Sequence, residues 1–449
     1  MNASRHSVDM TSGNIWKQLA AFALPVLLGE CFQLSYSMID SVIVGRIVGE
    51  AALAAVGASE TITKIIIGFF NGMSVGCTVI VAQAFGRKAA QELQDAVHTI
   101  VLFSLLLGLA LGGIGIALAP LFVRLMNIPA DTAPLTQVYL RIYFGGLFGL
   151  VIYNTITGIL RAVGDSRRPL YFLIFSSVLN TAMDWLFVAV FHWGVHGAAY
   201  ATVASQILSA LLCLLLLTRT REPWRFTWCG RMDRTTLKDI FSTGFPIGLQ
   251  KSVVSLSNVL VVSRISFFGT SCLSAWVVYT RVSHVFTMTA QSLASALTTF
   301  IGQNLGAKTY KRAGAGIRVA MGQCLAITAV LIVTLFLLRL PLIRLFGYGE
   351  DMGAYAELFL RLLLPFQVIH VFMSIYIAVL RGSGKALQGT LFIILGNVVF
   401  RQIYLYFITG IYNTPMSVGL AWPLGWLVSG LLVYGYYRTK MAEHVFKGI

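Results

Sequence analysis

The stretch from Trp16 to Arg46 constrains everything else this chain can do. WKQLAAFALPVLLGECFQLSYSMIDSVIVGR is apolar enough to be a membrane helix, yet it carries Pro25 and two carboxylates, Glu30 and Asp40. A spanning helix needs roughly 20 apolar residues. This one continues for about 30, or about 45 Å at the helical rise, and must tilt, bend or protrude. An ionised carboxylate at the centre of a bilayer costs at least about 2.5–3.5 kcal/mol, so it normally faces a cavity or a partner. Gln33, Ser37 and Asp40 recur at helical spacing, with Tyr36 one turn before Asp40, and this polar stripe reads as the lining of a pocket.

The remainder of the chain is of the same kind. With 57% hydrophobic and 11% charged residues, and a mean hydropathy of +0.79, the expected class is an all-α polytopic membrane protein. Charges, turn residues and Gly/Pro breaks delimit twelve hydrophobic segments, at approximately 15–45, 51–85, 94–119, 134–160, 169–191, 195–217, 238–265, 270–304, 314–339, 354–380, 387–410 and 416–437. The net charge of +16 would suggest a nucleic-acid partner in a soluble chain. Here about two-thirds of the 33 basic residues fall in the termini and even-numbered loops, against Arg46, Arg124, Arg264, Arg339 and Arg344 on the other side. That asymmetry predicts cytoplasmic termini and loops, and leaves no call for nucleic acid. The amino terminus lacks the regions of a cleaved signal peptide, so the first helix is expected to act as the targeting signal.

The two halves repeat. Pro25 matches Pro246, QAFGRK (83–88) matches QNLGAK (303–308), and LRAVGD (160–165) matches LRGSGK (380–385), at offsets of 221 and then 220 residues. Six helices per half make the repeats parallel, with two pseudo-symmetric six-helix bundles at 1–217 and 238–449 joined by a cytoplasmic linker at 218–237. Two facing bundles of this kind form a transporter architecture. Gly68, Gly72 and Gly76 make a small-residue ladder for close helix packing.

Counted from the outer helix ends, Asp40, Glu60, Tyr139, Asn180, Asp184 and Thr202 fall in one slab about 8–18 Å deep. Asn180 and Asp184 share a helix face, as do Thr202 and Gln206. Glu60 has Lys64 one turn on as an ion-pair partner. Carboxylate, amide, hydroxyl and phenol oxygens at one level suit either a proton or Na⁺. The carboxyl-terminal half is electrically opposite: Lys251, Arg281, Arg361 and Arg401 lie within its helices, with His284 and His370. Glu30 and Lys251 are repeat-equivalent and are expected to pair between the lobes. Trp276, Tyr279 and Met288, beside Arg281, His284 and Arg401, are candidates to line a carboxyl-terminal cavity, with Phe286, Phe366, Phe372 and Met373 as further soft wall.

Enzyme motifs fail on context. Gly72–Gly76 matches GxSxG inside a hydrophobic helix, and RGSGKA (381–386) lacks the first glycine and the Ser/Thr of a phosphate loop. No organic cofactor is called for, and the energy source must be an ion gradient. The six cysteines show no metal-ligand spacing and read as small apolar residues.

With Pro25 and Asp40 on helix 1, VAQAFGRK after helix 2 and ILRAVGDSRRP after helix 4, the chain resembles the MATE (multidrug and toxic compound extrusion) family over its whole length, and within it the DinF/MepA-type branch. The resemblance implies a cation-binding or protonatable aspartate at Asp40, a network through Tyr139, Asn180, Asp184 and Thr202 that could hold Na⁺, and bending of helix 1 near Pro25. It departs from the NorM-type branch, which has carboxylates on helices 7 and 10 where this chain has Gln250–Lys251 and Gln367–His370. The activity it implies is antiport across the inner membrane by a monomer amid lipid, in which H⁺ or Na⁺ entry drives export of amphipathic, cationic compounds. The basic carboxyl-terminal half also leaves room for anionic substrates such as a bile salt. The alternative within the same architecture is a lipid-linked saccharide flippase.

Overall fold

A computed structural model describes residues 8–48, 50–126, 128–130, 132–228, 230, 232–345 and 350–442, except for the side chains of 36–47, 50–54, 60, 61, 345 and 350. The described residues are all-helical in their regular structure, with twelve main helices in the order expected: α1 (Ile15–Ile47), α2 (Glu50–Arg87), α3 (Ala90–Leu125), α4 (Ala133–Gly145 with Leu147–Ala162), α5 (Arg167–Val190), α6 (Gly194–Arg219), α7 (Arg234–Ser266), α8 (Thr270–Gly306), α9 (Tyr310–Leu337), α10 (Asp351–Gly382), α11 (Ala386–Ile411) and α12 (Pro415–Met441). Ten are long and apolar enough to cross a membrane, and α4 passes the same test as a pair bent by 49° at Gly146. α8 is long enough, but its threonines, serines, glutamines and Arg281 make it the most polar of the set. Leu106, Leu109, Val178, Leu211, Val330 and Leu431 sit exposed on outer faces, as helices bounded by hydrocarbon require.

The repeat extends to turn geometry. Lys88 and Lys308, 220 residues apart, both adopt left-handed backbone (φ 57° and 58°), and so do Gly164 and Gly384 (φ 86° and 75°). Lysine enters this region only at a cost. Its presence twice, each time ending a helix, means that the same turn was duplicated with its helices. α5 and α11 each contain a widened π-turn, at Trp185–Val190 and Leu395–Phe400, ten residues apart in the repeat register.

Two compact units emerge, one comprising 1–9 and 24–248, the other 10–23 and 249–449. This division differs from the sequence boundaries in two ways. The connection at 218–237 is seated on the first unit, because Trp224 and Phe226 are buried in its hydrophobic core, His98 stacks on Phe226 (ring centroids 5.5 Å), and a His98 Nδ1 hydrogen bond reaches the Thr227 carbonyl (2.7 Å). In addition, residues 10–23 pack in the second unit, where Gln303 accepts from the Met10 amide (2.9 Å) and Arg312 donates to the carbonyls of Met10, Ser12 and Gly13. The chain passes between units beside Pro25 and just after Pro246, which are repeat-equivalent positions.

Within the first unit, Gly72 and Gly76 face the start of α7. A Cβ on Gly72 would lie 2.6 Å from Gly248 Cα. Backbone meets backbone there, so glycine is required on both helices. Among the cysteines, Cys77, Cys213, Cys272 and Cys324 are buried as expected; Cys31 is exposed, and Cys229 lies outside the described residues.

Candidate functional site

Two polar groups occupy the interiors of the two units. The first is on α5. Its outward side carries Tyr171, Val178 and Trp185, and its inward side carries Ser177, Asn180, Asp184 and Val188 at helical spacing. Asp184 is 0% exposed and Asn180 4%. Asp184 is the last α-helical residue before the π-turn, where an amide–carbonyl hydrogen bond spans one extra residue, as in Phe191 N to Leu186 O (2.9 Å). Such widening re-aims side chains and is frequent at functional sites.

Thr202 and Gln206 lie on α6, which packs against α5, and both are half-buried. The Thr202 hydroxyl donates to the Ala198 carbonyl (3.0 Å), leaving its oxygen lone pairs available to a further donor or a cation. Tyr139 is buried on α4 and stacks parallel to Tyr143 (6.4 Å). The bend in α4 lets Gly146 and Gly149 pass close to α6 beside Thr202: a Cβ on Gly149 would meet Ile207 at 2.9 Å. Helices α4, α5 and α6 therefore carry the expected amide, carboxylate, phenol and hydroxyl in one unit. Gln33 is exposed on α1. The side chains of Tyr36, Ser37, Asp40 and Glu60 lie outside the described residues.

The second group lies in the other unit, around α11. Arg401 follows the π-turn directly and is 1% exposed. Its Nη2 donates to Ser257 Oγ on α7 (2.6 Å), which also accepts from Gln402 (2.9 Å). The guanidinium lies over the Trp422 ring (5.3 Å), Trp422 packs on Trp276 (4.7 Å), and Trp276 on Tyr279 (4.9 Å) and Phe359 (5.1 Å). Gln367 donates to the Tyr279 hydroxyl (3.5 Å).

Of the carboxyl-terminal residues expected from sequence, the structure joins Arg401, Trp276 and Tyr279 in one cluster. Arg281 and His284 are exposed on α8, and Met288 is buried further along it. Glu30 belongs to the first unit and Lys251 to the second; each is half-buried. Pro25 sits inside a continuous α1. Sequence reasoning missed Ser257, Gln402 and Trp422, which come from three different helices. Only their neighbourhood to an arginine in an apolar helix could have pointed to them. Among the described residues, no group of three or more His, Cys, Asp or Glu is arranged to hold a metal ion.

The family model MatE matches the chain twice, at residues 25–186 and 246–407. The chain is 30% identical over 434 residues to a "Probable multidrug resistance protein YpnP" of Bacillus subtilis, covering 96% of each. It is 24% identical to a "FAD transporter" of Shewanella oneidensis, covering 97% of each. Among solved structures it resembles the outward-facing conformation of a multidrug resistance MATE family transporter of the MOP superfamily, with a TM-score of 0.90, 22% identity and 99% of both chains covered.

Proposed function

Since this chain belongs to the MATE (multidrug and toxic compound extrusion) family, we propose that it is a secondary antiporter of the inner membrane, exporting amphipathic organic compounds against the entry of H⁺ or Na⁺. The observation that carries this reading is the complete burial of Asp184 with Asn180 on the inward face of α5, at the edge of a π-turn. Membrane-embedded carboxylates mark ion pathways and proton relays, because the medium penalises an unneutralised charge. Protonation or a bound Na⁺ removes that penalty, so the site distinguishes an ion-loaded from an ion-free protein.

Asp40 joins this group on the strength of the sequence. Its helix passes from one unit to the other beside Pro25, which places a helix-weakening residue where the two units divide. Ion loading and the angle of α1 would then be coupled. The driving force is roughly 2.3 kcal/mol per charge per 100 mV, plus the concentration gradient. The relatives' names favour small-molecule export over flipping of a lipid-linked saccharide. Cationic amphiphiles are the substrate class suited to the acidic unit.

The test is dye efflux from proteoliposomes under imposed ΔpH or ΔNa⁺, with wild type, Asp40→Asn and Asp184→Asn. Each substitution is expected to abolish gradient-driven efflux while gradient-free counterflow survives. Undiminished coupled efflux in both variants overturns the assignment.

A further inference from the structure

Arg401 presents a chemical imbalance that the coupling reading does not use. A guanidinium has five N–H donors. In Arg401 the hydrogen bond from Nη2 to Ser257 Oγ is the one made among the described residues, and Nε is sealed from solvent without an acceptor. Among the described residues no carboxylate pairs with it; the ion pair Arg339–Glu357 (3.5 Å) involves other residues of this unit. A neutral hydroxyl and an aromatic face are weak compensation for a full positive charge at 1% exposure. Beside it runs an apolar wall, Trp422 to Trp276 to Tyr279, in which Trp276 Nε1 is a second buried donor with no acceptor. Donors in excess, a positive charge and a cluster of tilted aromatic rings form surroundings complementary to an anion with an apolar body.

We propose that the carboxyl-terminal unit holds a binding subsite for the anionic head of an amphiphile (sulfonate, carboxylate or phosphate), with Arg401 as the charged anchor and Trp422 and Trp276 as the platform for its body. This deepens the exporter reading and rests on it. It assigns the substrate range an anionic or zwitterionic arm, fixed within one unit, while the acidic unit handles the coupling ion. The anion supplies the acceptors that the protein does not. Trp422 and Gln402 are half-buried and form the less enclosed side of the guanidinium's surroundings.

The experiment uses the full chain in nanodiscs of neutral lipid, without any gradient, so its outcome is independent of whether coupled efflux occurs. Two probes share one apolar body and differ in head charge: 1-pyrenesulfonate and (1-pyrenylmethyl)trimethylammonium. Arg401→Gln should weaken pyrenesulfonate about 10- to 100-fold, the loss of a charge-assisted hydrogen bond, and leave the ammonium probe within about twofold. Arg401→Lys, which keeps the charge and guards against a folding defect, should retain part of the affinity. Sodium sulfate and phosphatidylglycerol are then added as competitors to distinguish the sources of the head group. Displacement by either in wild type but not in Arg401→Gln supports the subsite, as an inorganic-anion or a lipid-headgroup site respectively, and resistance to both with the Arg401 dependence intact assigns it to substrate. Equal weakening of both probes in Arg401→Gln and Arg401→Lys would make Arg401 a packing residue and overturn the proposal. So would pyrenesulfonate affinity that is unchanged in Arg401→Gln, or undetectable in wild type.

Discussion

The two units are copies of one six-helix plan with opposite charges in their interiors. In α5 the residue before the π-turn is Asp184; in α11 the residue after it is Arg401. Asp184 lies roughly 25 Å and Arg401 roughly 22 Å along its helix from the helix's first residue. The two π-turns lie ten residues apart in the repeat register, so each unit carries its own helix defect, with a charged group of opposite sign beside it. A carboxylate can lose its charge by taking up a proton, whereas a guanidinium stays charged under all physiological conditions. The difference is one of chemistry: the buried acid of one unit can be neutralised by a proton, and the buried base of the other cannot shed its charge.

The units also differ in how each holds the leading segment of a repeat. The first unit holds the start of α7 by glycine-to-glycine contact, and the second holds residues 10–23 by hydrogen bonds. The largest effect is expected where backbone meets backbone. In Gly76→Ala the new methyl would approach Gly244 N to 2.6 Å, with no flexible side chain to yield. Overpacking of this kind costs about 1–3 kcal/mol, and more where backbone blocks relaxation as it does here. The thermal transition of the purified protein in detergent should fall by several degrees, whereas Gly57→Ala, on the same helix with nothing within 4 Å, should leave it unchanged. Equal transitions for the two variants would mean that α2 and α7 are not locked at this point.

The contrast between the units was partly legible in the chain itself. The repeat, the number of helices and the inward face of Asn180 and Asp184 follow from periodicity, because one dihedral pattern repeats along each helix and depends on no distant partner. Arg401 stands out for the same reason, as a charge within an apolar run. Ser257 and Trp422 do not, since what makes them neighbours of Arg401 is the packing of α7, α11 and α12. The seat of the connecting segment was legible and overlooked. Trp224 and Phe226 are buried while Arg225 between them is exposed, which is the period-two alternation of an extended segment lying on an apolar surface. The many basic residues of 218–237 mark the segment as solvent-facing, and that signal masks the two rings between them.

A middle-sized effect should separate hydrogen bonding from packing as the means of holding the leading segments. Arg312 donates Nε to the Met10 carbonyl (3.1 Å), Nη1 to that of Gly13 (2.8 Å) and Nη2 to that of Ser12 (2.9 Å), and its ring neighbour is Phe300 (5.4 Å). Charge-assisted bonds to carbonyls contribute about 1.5–3 kcal/mol when buried and less where, as here, part of the group meets water. Arg312→Ala should therefore raise amide hydrogen exchange through residues 10–18 about tenfold, with little change in the overall thermal transition. Unaltered exchange there would show that Gln303, which accepts from the Met10 amide, and Asn304, which donates to the same Met10 carbonyl as Arg312, suffice by themselves.

The smallest effect lies at the entrance to α7, outside the membrane-spanning part. Asp233 caps this helix: its carboxylate accepts from the Thr236 amide (2.6 Å) and hydroxyl (2.7 Å), and its own amide donates to Thr99 (2.9 Å). The hydrogen bonds from the Thr236 side chain, and then its amide, hold the Asp233 carboxyl below the ordinary carboxylate range. A carboxylate favoured in the folded state stabilises it above the unfolded pKa, and that contribution disappears as pH falls through the lowered folded value. The group is well exposed, so the effect is discounted for screening to about 0.5–1 kcal/mol, the lower range for a helix cap. Asp233→Ala should be less stable than wild type at pH 7, and the gap should narrow as pH falls through the lowered folded value of the carboxyl. A gap that persists undiminished at low pH would assign the cap's contribution to hydrogen bonds that the neutral carboxyl keeps with Thr236, since the Asp233 backbone amide bond to Thr99 is common to both proteins.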